Sequence, residues 1–227
     1  MKKLVSILLA LMLLLSLTAC ASSGAADAPP VFRDLESVLY LPKAEALQKL
    51  NLAEADLTEN SWTYYDVGRK QKICGVDFDY EIEIAPINDV ERLTRVNYMV
   101  ILDDPKQAVD TVLAIATAIN KSGATAVTPK ATNQTERITD FTPEKLEEKV
   151  KAGEANITDD WILGEMTTEG AKVYKEDAAQ NETFGKFVDP TTPLDVMVSL
   201  QIIQAANTKQ IVIFLKYYPE IFDSQFY

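Results

Sequence analysis

Residues 76–84 alternate without interruption between apolar and acidic side chains. Successive side chains of a β-strand point to opposite faces, so this segment predicts a strand with one apolar and one acidic face. The apolar face has to be buried against a second layer, whereas the acidic face looks outward. The two sets are Val76, Phe78, Tyr80, Ile82 and Ile84 on the apolar face, and Asp77, Asp79, Glu81 and Glu83 on the acidic face.

The remaining segments predict more strands than helices. Strand-forming residues cluster at 62–65, 95–102, 194–203 and 210–218,. The clearest helix is 105–121, because Asp104 is suited to the N-cap, Pro105 to the first turn and Gly123 to the stop. Shorter helices are predicted at 42–50 and 142–151. Residues 122–140 are interpreted as a surface loop or linker, and the form of the segment around Trp161 stays undecided.

Strands joined by hairpins, with helices kept apart from them, indicate the α+β class. We therefore expect a mostly antiparallel sheet of about four or more strands, with helices packed on one face. The long helix carries a single apolar stripe for that contact, formed by Ala108, Val109, Val112, Ala116 and Ile119,.

The acidic face has two interpretations. Pairing with 95–102 is expected to bring Asp79 or Glu81 opposite Arg95, leaving three acids less compensated. Such a surface could bind a cationic ligand, peptide or partner protein, or it could be the solvated side of a sheet. Calcium is disfavoured because carboxylates about 6.5–7 Å apart on a flat strand cannot converge on one ion. A carboxylate pair for glycoside cleavage is disfavoured because nothing indicates a sugar-binding cleft.

Aromatic residues cluster just before the acidic strand. Trp62 and Tyr64, with Tyr65, could anchor a partner or stack on glycan rings, or they could be alternate core residues of a strand,. The C-terminal residues Phe222, Phe226 and Tyr227 are expected to dock onto the body of the protein.

The N-terminal segment has two lysines, an apolar run over residues 4–17, and the sequence Leu17-Thr18-Ala19-Cys20. This arrangement resembles the signal peptide and lipobox of bacterial lipoproteins. The resemblance implies removal of residues 1–19, diacylglycerol on the Cys20 thiol, and a location on the extracytoplasmic face of a membrane. Residues 20–30 would then be the lipidated cysteine and a flexible tether. Residues 31–227 would be a single α+β domain, with 122–190 as an elaboration.

The charge and the two cysteines limit which partners and which covalent links can be expected. Removal of the signal takes away two of 22 basic residues and none of the 34 acidic ones, which leaves a net charge of −14. Nucleic acid is therefore not an expected partner. An acylated Cys20 excludes a disulfide between the two cysteines, and Cys74 is then expected to be a small buried hydrophobe.

The chain has no histidine, which excludes serine–histidine and cysteine–histidine catalysis and histidine zinc sites,. No cofactor or metal is predicted. The leading hypothesis is a non-catalytic recognition or accessory module that binds an envelope protein or peptide. The alternatives are a small-ligand binding lipoprotein and a histidine-free, carboxylate-dependent enzyme.

Overall fold

The computed structural model describes residues 35–127, 136–180, 193–204 and 209–219. The predicted signal peptide, the lipidated Cys20, the tether and the C-terminal aromatic residues lie outside these ranges.

The described strands form one antiparallel sheet with the order β1-β2-β3-β4-β8-β7-β6-β5. It consists of two four-stranded meanders, a first one from β1 to β4 and a second one from β5 to β8. They join where β4 pairs with β8. The strands are β1 (Leu57–Ser61), β2 (Tyr64–Ile73), β3 (Val76–Ile87), β4 (Val90–Leu102), β5 (Thr125–Val127), β6 (Asn156–Glu165), β7 (Asp195–Gln204) and β8 (Ile211–Pro219).

The described part of the chain also contains four α-helices, so the α+β prediction is confirmed. The longest, α2, contacts β4, β7 and β8 and buries the predicted apolar stripe. The Asp104 carboxylate caps it by accepting from the Gln107 N–H at 2.9 Å, and Gly123 follows its end with φ of 92°. The helices are α1 (Lys43–Lys49), α2 (Pro105–Lys121), α3 (Pro143–Ala152) and α4 (Thr168–Ala179).

The two faces of the sheet differ in what they carry. We call the side that meets α2 the helix face. In β3 it carries Phe78, Tyr80, Ile82 and Ile84, all buried. The opposite side, which carries the four acids of β3, is called the outer face. Three buried tyrosines cross the join between the meanders on the helix face. These are Tyr80, Tyr98 and Tyr217, with neighbouring ring centroids 4.8 and 6.0 Å apart.

Two tight turns connect β2 to β3 and β3 to β4 in the first meander. Asn88 and Asp89 connect β3 to β4, and both have positive φ, of 51° and 61°. Cys74 and Gly75 connect β2 to β3 in the same way, with φ of 48° and 85°. Positive φ at both central residues is the type I′ geometry that matches the twist of antiparallel strands.

The prediction for Cys74 is wrong. The residue is half-buried at the turn between β2 and β3 rather than buried. Its sulfur is also disulfide-bonded.

Two segments differ from their predicted form. Residues 62–65 are not one strand, because Trp62 and Thr63 make the turn between β1 and β2. Residues 122–140, interpreted as a loop or linker, include the edge strand β5, which pairs with β6. The undecided segment around Trp161 is β6, an integral strand of the second meander.

Candidate functional site

The outer face of the first meander brings together the predicted acidic residues. The alternation of β3 is confirmed, but the expectation of poorly compensated acids is wrong. Each carboxylate has a polar partner on a neighbouring strand. The pairs are Asp77 with Lys72 at 3.2 Å, Asp79 with Lys70, Glu81 with the Asn97 amide at 2.8 Å, and Glu83 with Arg95 at 3.6 Å.

The predicted partner of Arg95 is also wrong. Arg95 lies opposite Glu83, and Asp79 lies opposite Met99. Two features set this register. The turn at Asn88 and Asp89 pairs Ile87 with Val90, and a bulge between Glu83 and Ile84 leaves Thr94 as an extra residue of β4,. The bulge keeps Arg95 on the same face as Glu83, whereas the Asn-Asp type I′ turn alone would place Thr94 opposite Glu83,.

A groove of about 370 Å³ runs along this face between β2, β3, β4 and β8. Arg95 is central to it, because its Nη1 donates to the Tyr64 hydroxyl at 2.7 Å while the same group faces Glu83. Charges of both signs line the groove, together with apolar side chains. These lining residues include Asp66, Asp79, Glu81, Arg95 and Lys216, with Met99 and Phe214.

Trp62 lies at the tip of the turn between β1 and β2, directly after Ser61, which lines the groove. Its side chain is 96% exposed, so the interpretation of this residue as part of the core is wrong. Tyr64, two residues later, is half-buried in the groove. Tyr65 lies on the helix face, where it packs against the core and beneath the Lys43 ammonium at 5.5 Å.

The second meander contains charged residues that the sequence analysis did not identify. Asp159 lies on the helix face of β6 with its side chain wholly buried, and its Oδ1 accepts from Arg137 Nε at 3.2 Å. The backbone N–H of Ile138 donates to the same oxygen at 3.1 Å. Burial raises the pKa of Asp159, and Arg137 counteracts part of that rise.

Trp161 completes this buried cluster. Its ring lies 5.6 Å from the Arg137 guanidinium, and its Nε1 donates to the Asn120 side chain at 2.8 Å. The cluster fixes the chain around Ile138 to β6 and has no opening to solvent at Asp159. We therefore interpret it as structural, not as a binding site.

Among the described residues, no group of three or more acidic or cysteine side chains is arranged to hold a metal ion. No described helix has the length and apolar character needed to cross a membrane. No family model, curated protein or solved structure matches the chain.

Proposed function

We propose that this protein is a lipid-anchored recognition module that binds an envelope protein or peptide through Trp62 and the adjacent groove. The observation that carries the proposal is the exposure of Trp62. A fully solvated indole stabilises nothing within the fold, whereas tryptophan is enriched among the residues that dominate protein interfaces. Among the described residues, the other exposed large apolar side chains are Val90 and Ile101, and only 37% and 48% of their surface is exposed.

The groove supplies the polar part of such an interface. Because its lining carries charges of both signs, it does not simply attract cations. A polypeptide that presents both signs of charge can replace these contacts at exposed positions, where each pair contributes at most about 1 kcal/mol.

Site-specific photo-cross-linking in intact cells tests this interface. A photo-reactive amino acid replaces Trp62, and in a matched control it replaces Val90, the exposed apolar residue at the neighbouring turn. The proposal predicts a discrete protein adduct from position 62 and none from position 90. Equal labelling from both positions, or no adduct at 62, overturns it.

The role of the groove is tested in the same cells. Charge reversal of Asp79 and Glu81 is expected to weaken the adduct at position 62 while leaving the protein folded. If the adduct is unchanged, the interface is restricted to the turn that carries Trp62, and the acidic residues of β3 are not part of it.

The lipid anchor is tested separately through Cys20. We expect the wild-type protein to partition into detergent with the mass of added acyl chains, and the Cys20→Ser variant to remain in the aqueous phase. A diacylglyceryl thioether uses the sulfur that a disulfide would need, so the intact mass distinguishes the two. A mature chain without acyl mass would overturn the anchor.

A further inference from the structure

A second cavity of about 270 Å³ lies beside α4, where β3, β4 and β8 end. It is smaller than the range of about 300–1,000 Å³ typical of drug-sized ligands, which limits it to a small molecule. Its walls combine three phenol rings with three charged groups. These are Tyr40, Tyr174 and Tyr218, and Glu83, Arg95 and Asp177.

Two of the rings form a rigid corner. Tyr40 and Tyr174 are both buried, and their ring centroids lie 5.2 Å apart with the planes at 86°. The faces of phenol rings attract cations through the ring quadrupole. Burial is the main reason that the pKa of Tyr40 is raised, followed by Tyr174 and Asp177, so the hydroxyl stays neutral at physiological pH.

Tyr40 has a strained backbone conformation in this corner. Its φ is 64°, a left-handed conformation that is rare for a bulky residue,. The Tyr40 N–H donates to the Leu93 carbonyl at 2.7 Å, and its carbonyl accepts from Arg92 Nη1 at 2.8 Å. Strain of this kind persists where surrounding contacts enforce it, and it concentrates at functional sites.

Helix α4 reaches the cavity through a close backbone contact. A Cβ on Gly170 would lie 2.8 Å from the Leu39 carbonyl oxygen, so only glycine allows α4 to pack so closely here. The Thr167 hydroxyl accepts from the Gly170 N–H at 3.0 Å and fixes the start of the helix. One turn and two turns further on, the helix places Tyr174 and Asp177 in the cavity wall,.

The charges in the cavity do not balance. Arg95 is already engaged by Glu83 at 3.6 Å and by Tyr64 at 2.7 Å. The Asp177 carboxylate has no ion pair or side-chain hydrogen bond with any described residue, and burial raises its pKa. Within the described part of the chain, one carboxylate is therefore left without a counter-charge beside aromatic rings.

We propose that this cavity binds a small organic ammonium ion, with the cationic group beside Asp177 and against the tyrosine rings. An ammonium would offset the partly desolvated carboxylate and gain cation–π attraction, which a neutral molecule of the same shape would not. The proposal does not depend on the proposed function, because Asp177, Tyr40, Tyr174 and Tyr218 are not part of the groove beside Trp62.

The test uses choline, n-butylamine and the neutral carbon isostere of choline, 3,3-dimethylbutan-1-ol, with binding followed by titration calorimetry and NMR. We expect at least one of the two cations to bind and the neutral isostere not to bind. If neither cation binds with a dissociation constant below about 10 mM, or if the isostere binds equally well, the proposal is overturned.

Variants on one helix locate the site. Asp177→Asn is expected to weaken binding of the cation by about tenfold or more, the effect of losing a charge-assisted contact. The matched control is Glu176→Gln, which removes the neighbouring, half-exposed carboxylate that pairs with Lys172 at 3.8 Å. Its affinity should be unchanged. Equal losses in the two variants, or none in Asp177→Asn, would overturn the assignment, and circular dichroism confirms that both are folded.

Discussion

In the first meander the acids of β3 lie on the outer face, and each faces a partner across an exposed or half-exposed surface. In the second meander β6 buries two consecutive acids, Asp159 on the helix face and Asp160 on the outer face. The same residue type therefore meets two different environments in one sheet. Water screens the first set, so its pairs contribute little to stability. The two buried carboxylates lower the stability of the fold unless each has a hydrogen-bonded or oppositely charged partner.

The largest effect is expected at the buried pair of the second meander. Arg137→Met leaves the Asp159 carboxylate buried without its counter-charge and should lower the free energy of unfolding by about 3–5 kcal/mol. Urea unfolding followed by tryptophan fluorescence measures it. Combining it with Asp159→Leu should recover most of the loss, because no charge then remains buried. A loss below about 1 kcal/mol for Arg137→Met alone would show that the buried pair contributes no more to stability than an exposed pair of the first meander.

The next effect concerns Asp160, which is 7% exposed and whose pKa is raised by burial. The folded protein therefore takes up a proton at Asp160 at a higher pH than the unfolded chain does. This group contributes stability as the pH falls through the raised pKa, and that contribution is lost as the pH rises again.

Replacing this carboxylate by an amide removes that dependence. Asp160→Asn should be more stable than wild type at pH 7.5 by up to about 1 kcal/mol, and the advantage should shrink at pH 4, close to the ordinary pKa of an aspartate. Urea unfolding at the two pH values measures the difference between variant and wild type. A difference independent of pH would show that Asp160 is not a costly buried charge.

The join between the meanders provides the third comparison. The hydroxyls of Tyr80, Tyr98 and Tyr217 are buried, and none makes a hydrogen bond of normal geometry with another described residue, although the Tyr80 and Tyr98 hydroxyls lie close enough to shift each other's pKa. Tyr98→Phe removes such a hydroxyl from β4 and should be neutral or stabilising by up to about 1 kcal/mol. Tyr98→Leu, the control, removes the ring and should destabilise the protein. If Tyr98→Phe is clearly destabilising, the hydroxyl has a partner and the join is not a purely apolar core.

The smallest effect is expected in the exposed ladder of the first meander. Lys72 and Asp77 pair at 3.2 Å with more than half of each side chain exposed. Lys72→Ala should change the free energy of unfolding by less than about 1 kcal/mol in thermal or urea unfolding. A larger loss would mean that the outer face stabilises the fold and is not merely available for binding.

Short sequence patterns predicted part of this structure correctly. The alternation over residues 76–84 predicted β3 and its faces, because period and burial agree there. Asp104, Pro105 and Gly123 defined the long helix at both ends, because capping is decided within one turn.

Other features depend on contacts between distant residues. Strand β6 was not recognised because Asp159 and Asp160 break its apolar pattern, and Arg137, whose pairing with Asp159 makes that burial tolerable, lies 22 residues away. The cavity beside α4 was not predicted, since it joins Tyr40, Glu83 and Asp177, which no spacing relates. Trp62 was predicted as a contact residue, but only the turn geometry shows that it is exposed.

The pairing of β4 with β8, which joins the two meanders, affects how the chain folds. The hairpins of β1 to β4 link neighbouring segments, whereas β4 pairs with residues that follow more than 100 positions later. Contacts of long sequence separation form slowly, because a large loop has to close first. Until β8 has been synthesised and pairs with it, β4 is an unprotected edge that carries several apolar residues, the kind of edge that recruits other chains,. We expect the interval between synthesis of β4 and of β8 to be the period in which this protein is most prone to aggregate.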